Sequence, residues 1–302
     1  MQVINNLDFQ LNNTAVCIGK FDGLHRGHRL LLSEAGQGGY TVTMITFSFP
    51  DGRGIYSCEE KVWLAEKLGV EVLISIPVTE EFMRMSAEDF VKKILVERCD
   101  AKKVVVGADF GFGYHRSGNA EFLREAGIDY GFDTFIYEKL MQDGEVISST
   151  RIRGLLREGR MVEVNDLLGT PYFVRGVVKK GNQIGRTMGV PTANIEPDEM
   201  KELPPYGVYT VRLEIAASSE CSETVQYNTY DGIANLGVKP TIGDDNRVTL
   251  EVWLFDFEGD LYDKELIVYL LDFQRPERKF ESLEELKEQI DRDIEVAKKY
   301  ID

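Results

Sequence analysis

Two of the three histidines in the chain stand three residues apart in the stretch GKFDGLHRGH, residues 19 to 28. His25 and His28 lie there among glycines that include Gly19 and Gly27. Side chains at this spacing at a helix start can point the same way. Three interpretations are open: structural histidines, metal ligands, or hydrogen-bond donors that stabilise charge on an α-phosphate while pyrophosphate leaves.

The flanking residues indicate which elements position these histidines. Apolar TAVCI precedes the stretch and LLL follows it, which predicts a strand, a glycine turn and a helix. In an open α/β sheet, ligands bind beyond the carboxyl ends of the strands, where a helix amino terminus offers free N–H groups to phosphate. The chain contains neither G-x-G-x-x-G nor G-x-x-x-x-G-K-[ST], so the two familiar phosphate loops are excluded.

A second strand and turn, VVVGADFGFG at residues 104 to 113, presents Asp109 and Phe112. Taken alone, this pattern is typical of a strand end followed by core aromatic residues. Further on, ISSTRIR provides Ser149, Thr150 and Arg153 at the start of a helix. Such hydroxyls cap helices in any protein, but together with arginines they could also clamp a triphosphate.

In the second half, the stretch GNQIGRTMGVPTAN contains Gly181, Gly185 and Arg186, then Thr192 and Asn194. The glycines could form a simple turn. Because Thr192 and Asn194 are two apart, their neutral oxygens face one way on an extended segment, and Mg²⁺ bound mainly by phosphates needs few such ligands.

Glu251 lies in RVTLEVWLF, where the alternation places Leu250 and Val252 on one face and Glu251 on the other. A glutamate on the polar face of a strand is usually solvated. A phosphoryl acceptor hydroxyl nevertheless needs a base nearby, so Glu251 is a candidate for that role.

The wider pattern predicts an α/β fold with two domains. Buried strands alternate with helices in residues 1–169, which favours a Rossmann-like domain with a parallel sheet. Residues 170–302 contain closely spaced strands and a closing helix behind Ser282, which favours a small antiparallel β-barrel with a C-terminal helix. The helix before the boundary is predicted to run unbroken through RIRGLLREGRMVEVNDLLG.

The net charge of −16 argues against a nucleic-acid partner, because phosphate-tracking proteins need basic patches. No targeting segment or long apolar run is evident, so we expect a cytoplasmic protein with no membrane association.

These motifs together resemble the bifunctional riboflavin kinase/FMN adenylyltransferase family, the prokaryotic FAD synthetases. The extended G-x-F-D-G-x-H-x-G-H element carries the resemblance, supported by G-x-[DN]-F-x-F-G, S-S-T-x-x-R, G-x-P-T-A-N and R-P-E-x-K-F. The family implies two reactions: ATP and riboflavin give FMN, and ATP and FMN then give FAD and pyrophosphate.

The resemblance also implies residue roles. In the first half, His25, His28 and Arg153 would be catalytic, and nucleotide or flavin would be bound by Gly19, Phe21, Asp22, Gly27, Asp109, Phe112, Ser149 and Thr150. In the second half, Glu251 would be the catalytic base, Thr192 and Asn194 would hold Mg²⁺, and substrates would be bound by Gly181, Gly185, Arg186, Arg275 and Glu277.

One segment departs from the family. Relatives commonly continue the strand MITF with a Pro-His-Pro-like segment, whereas this chain reads SFPDGRGIYSCEE. Two alternatives therefore accompany the bifunctional interpretation: a chain with one catalytic domain, and a non-catalytic flavin-binding carrier.

Overall fold

The computed structural model describes residues 1–48, 52–179, 192–216, 227–239, 247–257 and 259–301. The chain divides into two compact units, Met1–Arg151 and Ile152–Asp302. Residues 152–169, which we predicted to close the first domain, group with the second unit. The predicted boundary at 169/170 stays a prediction.

The first unit is built on a parallel sheet. Its strands are β1 Gln2–Ile4, β2 Thr14–Ile18, β3 Thr41–Ser48, β4 Val72–Pro77, β5 Ala101–Gly107, β6 Gly111–Phe112, β7 Gly118–Asn119, β8 Asp133–Tyr137, β9 Met141–Gln142 and β10 Glu145–Val146. Its helices are α1 Arg26–Ala35, α2 Cys58–Lys67, α3 Glu80–Met83, α4 Ala87–Asp89 with its π-helical continuation Phe90–Arg98, a 3-10 turn Tyr114–Arg116, and α5 Ala120–Tyr130.

In the described residues, six of these strands pair in the order β1-β4-β3-β2-β5-β8, all parallel. Every residue of β2 is buried, as expected for a strand covered on both faces. The chain runs from β2 outward to β4 and then returns to the other side of β2 with β5. This reversal is a topological switch point, and it places the turns after β2 and β5 beside each other.

The second unit contains an antiparallel sheet. Its strands are β11 Tyr172–Val177, β12 Thr192–Ile195, β13 Gly207–Ala216, β14 Tyr227–Lys239, β15 Arg247–Leu254 and β16 Glu265–Pro276. Over the described residues their order is β11-β16-β13-β14-β15-β12. The sheet curls into a barrel, because Lys179 beyond β11 bridges Asn194 of β12, with its N–H 2.8 Å from the Asn194 carbonyl.

The helix predicted to run unbroken up to Gly169 is in fact two helices, α6 Ser149–Arg157 and α7 Met161–Leu168. Gly159 between them has a φ of +74°, a left-handed conformation that ends a helix and that glycine adopts without strain. A Cβ there would also lie 3.1 Å from the Phe273 ring.

The last helix, α8 Leu283–Ile301, begins as predicted, since the Ser282 hydroxyl accepts the Glu285 N–H at 3.1 Å. Ala297 is fully buried and packs with Ile290 and Ile294 near Val208 of the barrel. Leu283 lies at the first turn of α8, beyond this cluster, and is 68% exposed.

Candidate functional sites

The loop between β2 and α1 is strained and well anchored. Phe21 and Leu24 have φ values of +47° and +45°, which non-glycine residues rarely adopt, and Gly23 between them has +85°. The Phe21 and Leu24 side chains are both fully buried. Their burial holds the loop in this conformation, which is typical of functional sites.

His25 and His28 come together at the end of this loop. His25 is the N-cap of α1, and its ring stacks on that of His28 with centroids 3.7 Å apart and planes 19° from parallel. Phe21 lies against His28 at 5.1 Å. Both Nδ1 atoms are buried and have no hydrogen-bond partner among the described residues.

The surroundings keep both imidazoles neutral. Burial lowers the pKa of His25 to about 4, although the nearby Asp22 carboxylate acts in the opposite direction. Burial also holds the pKa of His28 well below its usual value, with further lowering from His25 and Lys61. At neutral pH each ring therefore has one N–H to donate, to a phosphate oxygen for example.

Gly27 lies close to the His25 ring. A Cβ at this position would lie 3.3 Å from two atoms of the His25 ring. At Gly19 a Cβ would make only an ordinary contact of 3.4 Å with the Phe21 ring. Of the two glycines, Gly27 is therefore the one whose missing side chain leaves room for a ring of the loop.

Asp22 fixes the loop to two other segments. Its Oδ1 accepts the Ile55 N–H at 2.8 Å, and its backbone carbonyl accepts the Ser149 hydroxyl at 2.8 Å. Ser149 begins α6, so this bond ties the histidine loop to the start of the ISSTRIR helix. Ser148 supplies the cap, since its hydroxyl accepts the Arg151 N–H at 3.3 Å, whereas Thr150 is exposed.

The turn after β5 lies beside this loop at the switch point. Asp109 forms an ion pair with Lys139 at 2.9 Å. Phe112 is 7% exposed and packs between Phe90 at 5.3 Å and Phe110 at 5.5 Å. The structure thus places Phe112 in the core, with Asp109 at the more exposed edge.

Arg153 belongs to the second unit, where it is engaged by a carboxylate. Its Nη1 lies 3.1 Å from Oε2 of Glu202, and Nε of Arg157 lies 2.6 Å from the other oxygen of the same carboxylate. The structure therefore shows Arg153 paired with Glu202, and its predicted catalytic role stays a prediction.

Three of the predicted kinase residues meet on the face of the sheet opposite Leu250 and Val252. Register places Asn194 directly opposite Glu251, and the Thr192 hydroxyl donates to Glu251 Oε1 at 3.0 Å. The alternation predicted for β15 is confirmed, because Leu250 and Val252 are buried on the inner face. A hydroxyl, an amide and a carboxylate are thus adjacent, and such hard oxygen ligands suit Mg²⁺.

Arg275 and Glu277 have protein partners. The Arg275 guanidinium binds both carboxylate oxygens of Asp293 in α8, with Nη2 2.6 Å from Oδ2 and Nε 3.0 Å from Oδ1. Glu277 Oε1 accepts a hydrogen bond from Asn235 Nδ2 at 2.9 Å. Gly181, Gly185 and Arg186 lie outside the described residues.

Comparisons with known proteins show the family of the chain. A family model of FAD synthetase matches residues 8–151, and one of riboflavin kinase matches residues 168–301. The bifunctional riboflavin kinase/FMN adenylyltransferase of Buchnera aphidicola subsp. Schizaphis graminum is 34% identical over 313 residues, which cover 98% of this chain and 97% of that protein. The protein with the same name from Escherichia coli strain K12 is also 34% identical, and the alignment covers 94% of this chain and 91% of the E. coli protein. The chain belongs to the bifunctional riboflavin kinase/FMN adenylyltransferase family.

One solved structure has the same fold as the present chain over nearly the whole length of both proteins. It is described as a macrolide-efflux protein from Streptococcus pneumoniae, is 30% identical, covers 99% of each chain and gives a TM-score of 0.82. Among the described residues of the present chain, no helix is both long and apolar enough to cross a membrane.

Sequence reasoning missed three residues of this riboflavin kinase/FMN adenylyltransferase. Asn235 lies opposite Glu251 in β14, Asp293 pairs with Arg275, and Glu202 pairs with Arg153. Asn235 could have been noticed as a polar residue between buried neighbours in DGIANLG. Asp293 and Glu202 gave no signal, since charged residues are common at such positions.

Proposed function

We propose that each unit of this bifunctional enzyme carries out one of its two reactions. The chain is a riboflavin kinase and FMN adenylyltransferase. In the second unit, the riboflavin 5′-hydroxyl attacks the γ-phosphate of ATP, which gives FMN and ADP. In the first unit, the FMN phosphate attacks the α-phosphate of a second ATP, which gives FAD and pyrophosphate.

The adenylyl transfer would use the histidine pair as neutral donors. His25 is buried and His28 half-buried, and the strained loop preorganises both, so they can donate to the α-phosphate oxygens without reorganisation in the transition state. Ser149, Thr150 and Arg153 would bind the triphosphate, and Asp109 and Phe112 would lie near nucleotide and flavin. Gly19, Phe21, Asp22 and Gly27 shape the loop around these groups.

The phosphoryl transfer would use Glu251 as the base. A carboxylate next to the acceptor hydroxyl can take its proton as the oxygen attacks the γ-phosphate. Thr192 and Asn194 would hold Mg²⁺, which neutralises charge on the ATP phosphates. The neutral oxygens of Thr192 and Asn194 fit such an ion, and Glu251 lies beside them.

Substrate binding in the kinase would involve further residues predicted from the sequence. Gly181, Gly185 and Arg186 would cover ATP, and Arg275 and Glu277 would lie near the flavin. Because the enzyme consumes ATP, we assign it to the cytoplasm, and its charge of −16 argues against a nucleic-acid partner.

The observation that carries the proposal is that the histidine pair and the group of Thr192, Asn194 and Glu251 lie in different units. His25 and His28 lie in the first unit, whereas Thr192, Asn194 and Glu251 lie in the second. Incubation of the purified chain with riboflavin, ATP and Mg²⁺, followed by chromatography of the flavins, tests it. Formation of FAD would support two active units. Formation of FMN alone would support only the kinase activity, and unchanged riboflavin would contradict the kinase assignment. A second incubation, with FMN and ATP, tests the adenylyltransferase activity separately. The chain would be a non-catalytic flavin-binding carrier only if neither riboflavin nor FMN is converted.

A further inference from the structure

The order of strands around Glu251 separates the two sides of the proposed kinase site. Asn194 of β12 lies opposite Glu251 on one side, and Asn235 of β14 lies opposite it on the other. Directly opposed residues of an antiparallel sheet share a face. Asn194, Glu251 and Asn235 therefore form a polar row across three strands.

The two ends of this row would face different substrates. The proposed Mg²⁺ and ATP ligands, Thr192 and Asn194, stand on the β12 side. In phosphoryl transfer the acceptor oxygen and the leaving oxygen lie roughly in line on opposite sides of the transferred group. The acceptor must therefore approach from the β14 side of Glu251, where Asn235 is the neighbouring side chain.

The surroundings of Asn235 hold its amide in place. Its Nδ2 donates to Glu277 Oε1 at 2.9 Å, and Val208 on β13 opposes it on the remaining side. Two positions before Asn235 on the same face, Ile233 is 6% exposed and packs in the cluster beneath α8. Asn235 is thus the point where this face of β14 changes from apolar to polar.

Gly237 allows the glutamate to reach this position. A Cβ on Gly237 would lie 2.1 Å from Oε1 and 2.6 Å from Cδ of Glu277. The Glu277 carboxylate therefore lies over the bare backbone of β14, next to Asn235. The contact would be lost if residue 237 carried a side chain.

We propose that Asn235, held by Glu277, is a specificity-determining residue that binds the inner hydroxyls of the acceptor's polyol chain. The Asn235 amide has a second N–H and an oxygen with two lone pairs besides the bond to Glu277. Hydroxyl groups match such a site because they donate and accept, and they can also donate to the Glu277 carboxylate. This proposal rests on the roles proposed above for Thr192, Asn194 and Glu251.

The test compares two acceptors. Riboflavin has a ribityl chain with three inner hydroxyls, whereas a flavin with an unbranched 5-hydroxypentyl chain keeps only the terminal, reacting hydroxyl. Asn235→Ala should lower kcat/KM for riboflavin about tenfold, the equivalent of one to two hydrogen bonds, mainly through the riboflavin KM. It should change kcat/KM for the hydroxypentyl flavin less than twofold and leave the KM for ATP unchanged.

Three further variants control the interpretation. Glu277→Gln keeps an acceptor oxygen for Asn235 and should lose less activity on riboflavin than Glu277→Ala. Gly237→Ala should behave like Glu277→Ala, since the new methyl group displaces only the end of a flexible side chain. Asn228→Ala, at an exposed position of the same strand, should leave both acceptors unaffected.

Equal losses on the two flavins, or a rise in the KM for ATP, would overturn the proposal, because a merely structural Asn235 gives those results. Full activity of Asn235→Ala on riboflavin would overturn it as well. If the wild-type chain phosphorylates neither flavin, the kinase assignment fails separately. Quenching of flavin fluorescence then still decides whether Asn235→Ala weakens riboflavin binding and spares the hydroxypentyl flavin.

Discussion

The imidazole rings of His25 and His28 lie face to face with their centroids 3.7 Å apart, and both Nδ1 atoms are buried without a partner in the described part of the chain. Two protonated rings at this distance would repel each other, so the stack requires at least one neutral ring. The pair is thus suited to donating hydrogen bonds to an incoming anion at neutral pH.

Replacing His28 with Ala should separate the two activities. The loss of one preorganised donor is expected to lower FMN-to-FAD conversion by about 10²-fold or more, while riboflavin is still converted to FMN. Chromatography of the flavins after each step measures both. His115→Ala, which removes the exposed third histidine, is the matched control. Parallel loss of both activities would contradict separate sites.

Glu251→Gln should have the opposite effect. Removing the base should lower riboflavin phosphorylation by about 10²- to 10⁴-fold and leave FMN-to-FAD conversion intact. The comparison uses Glu199→Gln, since Glu199 is an exposed glutamate of the same unit. A variant with an undiminished kinase rate would exclude the base role.

Gly27→Ala should impair catalysis without unfolding the chain. Alanine favours a helix over glycine by about 1 kcal/mol, but its methyl group would lie 3.3 Å from the His25 ring and shift it. We expect FAD formation to fall about tenfold with an unchanged or higher melting temperature. Gly36→Ala, at the other end of α1, meets only atoms at 3.5 Å or more and should leave the rate unaltered. A fully active Gly27→Ala would show that the ring position is not critical.

The histidine pair should make the protein sensitive to acid. The pKa of His25 falls from 6.5 when unfolded to about 4 when folded, so the unfolded state binds more protons between these pH values. The free energy of unfolding should therefore drop as the pH is lowered through this window, by an amount on the order of 2 kcal/mol. Urea denaturation of wild type and His25→Gln at pH 7.5 and pH 5 measures it. The variant should show a smaller drop, and identical drops would refute the assignment.

Breaking the Arg275–Asp293 pair should destabilise the second unit. The Asp293 side chain is 5% exposed and that of Arg275 20%, so Asp293→Ala leaves a mostly buried cation unpaired. The expected cost is about 3 kcal/mol, and the double variant Arg275→Met with Asp293→Leu should recover most of it. Guanidinium denaturation followed by tryptophan fluorescence reports this, because Trp253 lies in the cluster next to α8. Equal stability of wild type and Asp293→Ala would mean that the pair contributes nothing.

Local patterns in the sequence determined much of this protein. The alternation of apolar runs with helical spacing gave the parallel sheet, and the Ser282 cap gave the start of the last helix, because both depend on residues a few positions apart. Gly159 had the residue type that ends a helix, but its conformation depends on its surroundings, and the predicted single helix was wrong there.

Only the tertiary structure decided how distant residues meet. Thr192 and Glu251 are 59 positions apart, and strand register brings the hydroxyl to the carboxylate. The pairing of Arg275 with Asp293 and the placement of Asn235 beside Glu251 follow from the same kind of long-range contact. No local periodicity encodes such contacts, because they depend on the packing of the whole sheet and of α8 upon it.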